Sequence, residues 1–381
     1  MREWSTVRSN SNAASTLSDT ISPQDLLVPN QAERQQLFYL LRKISSITAW
    51  RRAHAYYKVW VDVTKRSLQE ATKQGWALTT SLPASELQYV SGGLAEFDKA
   101  LAIMEKDNFK QFDTPPFLEL SEARRRLGIQ LSVLGRIDDG ENGINEAHTP
   151  LWQEYCEAMS DAHDVWQECS IHLAQRGYFP GGLWYYNLAL RRDLPVSPAP
   201  SILPAVPDPQ VNRFARPDRI VPCAGIWEPV AAPASSLIDR FTGAWKPAAP
   251  FVVVGPMCYF NNRSFAPAIS LERDSDSAHP AEKLHMAWRL LWQEDRYRDG
   301  VVPEEEAHYE FIDPRHSHPE SSATAGDGGP AWAWSGAAAP ASGRWLLEAE
   351  GSYTKIRKKG QRMPFALGGL SVRWVLMRQD D

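Results

Sequence analysis

Between Pro195 and Pro209 the chain reads PVSPAPSILPAVPDP, six prolines in fifteen residues. Proline lacks an N–H and has a fixed φ, so neither a helix nor a sheet ladder can run through such a stretch. The 381-residue chain is therefore divided into two halves joined by a semi-rigid strap, and their patterning differs.

Before the strap, apolar residues recur at helical spacing. Asn30 with Glu33 has the form of a capping box, and Leu37, Leu40, Ile44, Ile47, Trp50, Tyr57 and Trp60 follow as one stripe, closing near Gly75. Further stripes run from Leu87 to Met104 and from Leu120 to Leu134, and from Trp152 to Leu173 behind a Thr149-Pro150 start. After the strap come strand-like runs at 251–254, 257–260 and 371–376, with a helix expected near 281–292. The fold class expected is α+β: an antiparallel helical bundle followed by a mainly β region. The expected division is a lead-in over 1–21, a helical domain over 22–192, a Pro-rich linker over 193–215, a β-rich unit over 216–313, a low-complexity loop over 314–339 and a second β unit over 340–381.

The two β units share a motif. Gly225-Ile226-Trp227 and Gly343-Arg344-Trp345 each place Gly, one residue, then Trp after a Pro-containing turn, which is hairpin chemistry. On this alignment Gly255-Pro256-Met257-Cys258 corresponds to 361–364. The chain holds 15 tryptophans. Trp50, Trp60, Trp152 and Trp166 fall on helical stripes and read as core, as do Trp227 and Trp345. Trp332 and Trp334, beside the loop, are left to face a partner.

Chemistry is sparse. A net charge of −5, from 41 basic and 46 acidic residues, argues against a nucleic-acid binder that relies on bulk positive charge. No apolar run reaches the ~18 residues of a membrane span, and the first thirty residues lack a signal-peptide core, so a cytoplasmic protein with reduced cysteines is expected. Nucleophile-elbow, zinc-helix, phosphate-loop and dinucleotide motifs are missing. No cofactor or metal is implied. His316 and His318 read as a solvated loop, and Cys169, on a core stripe beside His163 and His172, as a packed thiol. Lys355, Arg357, Lys358, Lys359 and Arg362 read as a basic hairpin tip.

One constellation stands apart. From Ile137 to Gln175 there is no Lys or Arg but nine acids. Five of these, Glu154, Glu157, Asp161, Asp164 and Glu168, keep helical spacing and lie about 200° from the core stripe at about 100° per residue. The reading is an unneutralised ridge on the outer face, placed to meet a basic partner.

The stretch QAERQQLFYLLRKISSITAWRRAHAYYKVW from Gln31, then VPCAGIWEPV from Val221, then the closing GRW…MPFALGG…VRWVL pattern resemble the immunity proteins numbered 71 and 72 of bacterial polymorphic toxin systems, which accompany type VI secretion effectors. The second motif copy departs from the first, with Ala341 at the place of Cys223 and Leu346-Leu347 at that of Glu228-Pro229. The resemblance implies a non-enzymatic inhibitor that binds one cognate toxin, and it carries no site residues over. Two other classes share the lack of motifs: a secretion adaptor or chaperone, and a Trp-rich carbohydrate-binding module or an unrecognised enzyme.

Overall fold

The computed structural model describes residues 20–106, 116–138, 143–170, 173–174, 179, 182–209, 211–233, 247, 249–262, 264–271, 282–314, 322–323, 331–334, 337–347, 354–361, 363 and 373–379. Along the chain run β1 (Thr20–Ile21), α1 (Gln31–Ile44), α2 (Ile47–Lys73), α3 (Ala84–Lys106), α4 (Pro116–Asp138), α5 (Trp152–Ser170), β2 (Leu173–Ala174) and α6 (Leu183–Asp193). Then come β3 (Phe214–Ala215), β4 (Gly225–Ala231), β5 (Cys258–Phe260), β6 (Ser270–Leu271), β7 (Glu282–Lys283) and β8 (Met286–Gln293). The last strands are β9 (Ser322–Ala323), β10 (Trp332–Trp334), β11 (Gly343–Leu347), β12 (Thr354–Arg357) and β13 (Arg373–Gln379). The class is α+β, with helices over 31–193 and mainly antiparallel sheets after them. Residues 197–209 hold neither helix nor strand.

Two compact units form. One takes Met1–Arg42, Ile171–Val196 and Pro200–Glu294; the other takes Lys43–Ser170, Ser197–Ala199 and Asp295–Asp381. Each draws on both halves of the chain.

The first unit holds most of α1, then α6 and a five-stranded sheet ordered β2-β5-β4-β8-β3. The capping box forms: the Asn30 side chain accepts from the Glu33 N–H at 3.0 Å, and Glu33 accepts from the Asn30 N–H at 2.8 Å. Trp227, Tyr259, Phe260 and Trp288 are fully buried, Phe260 meeting Trp288 edge-on at 4.8 Å. Glu228, on β4 among buried neighbours, is 1% exposed. Arg34 of α1 reaches it with a two-pronged pair at 2.5 and 3.0 Å.

The helix expected near 281–292 is a strand. Residues 282–283 form β7, and Met286–Gln293 form β8, buried from Met286 through Leu291. Ala, Met, Leu and Arg favour helix intrinsically, but β8 is flanked by β4 and β3 and covered on both faces, so it shows no period-2 alternation. Phe251–Val254 is likewise no strand. Val253 makes one isolated bridge to Val230, and Val252 is exposed.

The second unit holds α2 to α5 and a sheet ordered β12-β11-β13-β10-β9. The stripe expected to be one helix across Ile44 breaks at Ser45-Ser46, where the Ser46 hydroxyl caps α2 by accepting from the Ala49 N–H at 3.1 Å. Trp50, Phe97 and Trp166 pack edge-to-face from α2, α3 and α5, so these tryptophans are core as expected. Trp152 is half-buried, stacked on Tyr155. Gly93, a helix-weakening residue on propensity alone, lets α3 approach α2: a Cβ there would collide with the Tyr57 hydroxyl. The α5 start differs from expectation. Pro150 precedes the helix, and Thr149 accepts from the Ser81 N–H at 2.8 Å rather than capping α5.

The loop expected over 314–339 contains strand residues. β9 and β10 lie in the sheet, with Trp332 opposite Val375 and Trp334 opposite Arg373. Most of the lead-in over 1–21 lies outside the described residues, as do His172, His316 and His318.

The two Gly-x-Trp motifs occupy matching places. Gly225 and Gly343 have φ +150° and +153°, a region that favours glycine, and each opens a central strand. A register shift comes one residue later in both, between Ile226 and Trp227 and between Arg344 and Trp345. Trp227 then faces Leu290 and Trp345 faces Leu376. The downstream correspondence of 255–258 with 361–364 is overturned: Gly225 pairs with Phe260 and Gly343 with Arg357, which sets Cys258 against Lys355.

Replacing Arg34 with Met leaves the Glu228 carboxylate buried without its cation, a loss of about 3–5 kcal/mol. The double change Arg34→Met with Glu228→Leu, which copies the Leu346 of the other sheet, recovers most of it. Urea unfolding of wild type and both variants checks the two expectations.

Candidate functional site

The acidic side chains of α5 are expected from their spacing to form an unneutralised ridge. Glu154 and Glu157 are exposed, whereas Asp161, Asp164 and Glu168 are only partly so. Arg52 of α2 pairs with Glu168 at 2.8 Å, and the Ile312 N–H donates to the same carboxylate at 3.4 Å. Arg66, also of α2, pairs with Glu154 at 3.0 Å, and Gln153 donates to Glu157 at 2.7 Å. The ridge is therefore not unneutralised. Its cations come from a neighbouring helix, where spacing along α5 cannot reveal them.

The inner end of this face adjoins a buried polar cluster that sequence reasoning missed. Lys43, at the end of α1, is fully buried. Its ammonium donates to Ser197 Oγ at 3.1 Å and to the carbonyls of Pro198 and Glu310, each at 2.9 Å. Burial lowers its pKa to about 8, opposed by the nearby Glu168. Beside it the Ile47 N–H at the start of α2 donates to the Tyr297 hydroxyl at 2.9 Å, and that hydroxyl donates to Glu306. Glu306, itself buried, also accepts from the Thr48 N–H at 3.3 Å. A carboxylate at a helix N-terminus is favourably placed. The acidic run Glu304-Glu305-Glu306 was visible in the sequence; its target was not.

Cys169 is a packed thiol, donating to the Ala49 carbonyl at 3.7 Å, and burial pushes its pKa up. His163 is buried too, and its pKa falls to about 4, burial being the main cause and Arg124 the second. Trp332 is half-buried on β10, not on a free loop. Its register position corresponds to Phe214, which packs against Phe251 at 5.7 Å. The side chain of Trp334 lies outside the described residues. Gly225, Trp227, Gly343 and Trp345 have structural work in the two sheets. Among the described residues no three His, Cys, Asp or Glu side chains are placed to hold a metal, and no helix is long and apolar enough to cross a membrane. The charged groups brought together are locked into ion pairs and backbone contacts, so the arrangement supplies surface and rigidity.

The family described as immunity protein 71 matches residues 28–181, and that described as immunity protein 72 matches residues 208–310. Together they take in more than half of the chain. The chain belongs to these immunity-protein families. No curated protein and no solved structure matches it. In this immunity protein the matched regions are not separate bodies. Arg34 and Glu228 come one from each match, as do Lys43 and Glu310.

His163 makes stability depend on pH. Its folded pKa of about 4 lies below the ordinary histidine value of 6.5, so the unfolded chain binds more protons between those limits and stability rises with pH across them. Its contribution is intact above pH 6.5 and is lost as pH falls toward 4. His163→Gln should flatten this acid limb in melting temperatures recorded from pH 7 to 4.5, and an unchanged limb would assign it to other groups.

Proposed function

We propose that this immunity protein binds and neutralises a cognate secreted toxin, of the kind delivered by type VI secretion, in the cytoplasm and without catalysis of its own. The observation that carries the reading is the pair of family matches on one chain. Such an inhibitor requires a rigid complementary surface and no reactive groups. The Arg52–Glu168 ion pair and the buried hydrogen bonds of Lys43 and Glu306 fit that requirement. Trp332, half-buried, is at most a marginal contact, while the exposed end of the acidic α5 face, Glu154 and Glu157, is the contact for a basic toxin surface. Charges at the edge of an interface act mainly on association rate.

Co-expression with the product of the neighbouring open reading frame tests the function: cells carrying both grow, and cells carrying that product alone do not. If deletion of the immunity gene leaves sister cells unharmed and stops effector export, the protein is an adaptor instead.

The surface is tested separately. Glu154→Lys with Glu157→Lys removes one exposed ion pair, worth about 0.2–1 kcal/mol, so the fold survives. Association with the toxin should slow at least tenfold at low salt and converge on the wild-type rate at high salt. Equal rates in stopped-flow at low ionic strength would take α5 out of the interface.

A further inference from the structure

The register match between the two sheets extends beyond the Gly-x-Trp motifs. Pro229 faces Trp288 and Leu347 faces Trp374. On the far side of these strands, Ala215 pairs with Trp288 and Ala333 with Trp374. Ahead of each motif, the Val221 N–H donates to Ser264 O, and the Ala339 N–H to Gln361 O. The return bonds also correspond, Ala266 N–H to Arg219 O and Met363 N–H to Ala337 O. Both turns close alike, Ser264 N–H to Asn261 O and Gln361 N–H to Lys358 O. Thus β3-β8-β4-β5 and β10-β13-β11-β12 are one four-stranded arrangement built twice.

The copies differ at their edges. In the first, the outer edge of β5 carries a fifth strand: Leu173 and Ala174 of β2 pair in parallel with Tyr259 and Phe260. The corresponding residues of the second copy are Ile356 and Arg357. Among the described residues β12 pairs with β11 alone, and the fifth strand, β9, lies at the opposite edge. Ile356 is 60% exposed, and Lys358 and Lys359, at the turn after β12, are exposed.

We propose that the β12 edge receives an extended, acidic segment of the toxin, which adds to the second sheet as β2 adds to the first. This rests on the immunity reading and names a surface for it. A sheet edge presents backbone donors and acceptors that an incoming strand can pair; at β12 the Ile356 carbonyl accepts from the Arg357 guanidinium at 3.0 Å, a bond that the incoming strand would share or replace. Lysines beside an edge deter indiscriminate strand pairing, and an acidic segment turns that deterrent into attraction. Ile356, exposed where Tyr259 of the first copy is buried, offers the incoming strand an apolar neighbour.

Two variants of the full-length protein test this: Ile356→Pro, which removes a backbone donor and stiffens the edge, and Lys358→Glu with Lys359→Glu, which reverses the charge without touching the sheet. Each is co-expressed with the product of the neighbouring open reading frame that the growth test identifies as the toxin, and toxin binding is titrated with the purified protein. Amide exchange over 354–357 is compared in the free protein and the complex. The expected result is slowed exchange at 354–357 in the complex and at least tenfold weaker binding by both variants at unchanged melting temperature. If Ile356→Pro fails to fold, the lysine reversal and the exchange measurement decide. Wild-type affinity in the lysine-reversed protein, or equal exchange free and bound, overturns the edge while leaving the immunity function standing. A wild-type chain that neither binds the toxin nor rescues growth overturns the function itself, and the proposed strand partner with it.

Discussion

A carboxylate cannot stay charged in a packed sheet without a cation delivered to it, and Glu228 on β4 imposes that condition on the first unit. Arg34 meets it from α1, almost two hundred positions earlier in the chain. The pairing fixes which face of α1 meets the sheet and at what height, because a two-pronged guanidinium contact tolerates little rotation. The same logic governs the second unit with the signs exchanged. Lys43 is the buried cation, and its acceptors are neutral: the Ser197 hydroxyl and the Pro198 carbonyl of the proline strap, and the backbone carbonyl of Glu310. Glu306 then satisfies the first N–H groups of α2 directly and through Tyr297.

These contacts explain why two family matches that are consecutive in sequence do not behave as consecutive domains. Glu228 and Lys43 find their partners in the other matched region or in the strap between them, and Glu306 finds one of its two, the Thr48 N–H, in the other region. Separating the chain at the strap would leave Glu228 without Arg34 and Lys43 without the Glu310 carbonyl, a penalty of several kcal/mol apiece. The strap itself, with few backbone donors, is held by the acceptors it presents: the Pro198 carbonyl to Lys43, and the Asp208 carboxylate to Arg289.

Local rules were legible in the sequence wherever the physics is local. The Asn30–Glu33 box, the stripes of α3 to α5 and the Gly-x-Trp strand openings depend on neighbours a few residues away. The features that were not legible depend on distant partners. The helix-like composition of Met286–Gln293 gives way because β4 and β3 pair with it along both edges and its side chains are buried from Met286 through Leu291. The α5 acids looked uncompensated because Arg52 and Arg66 sit on another helix. Thr149 looked like a cap because nothing local revealed Ser81. Of the candidate surface residues, Glu154 and Glu157 are exposed as their spacing indicated, and the partners of the α5 acids were not readable.

The two sheets differ by the loss of one such distant partner. In the first copy Glu228 requires Arg34, and β5 takes β2 along its edge, so the sheet is enclosed by helix and strand. In the second, Leu346 stands where Glu228 would be, and no cation has to be brought to the middle of β11. With no buried carboxylate to serve, the second sheet keeps its core, Trp345 and Trp374 at full burial, without recruiting an arginine to that position. Its β12 edge also carries no strand among the described residues. The two copies of the repeated sheet thus differ, among the described residues, in a buried carboxylate that draws a helix to one of them and in the edge to which each adds its fifth strand.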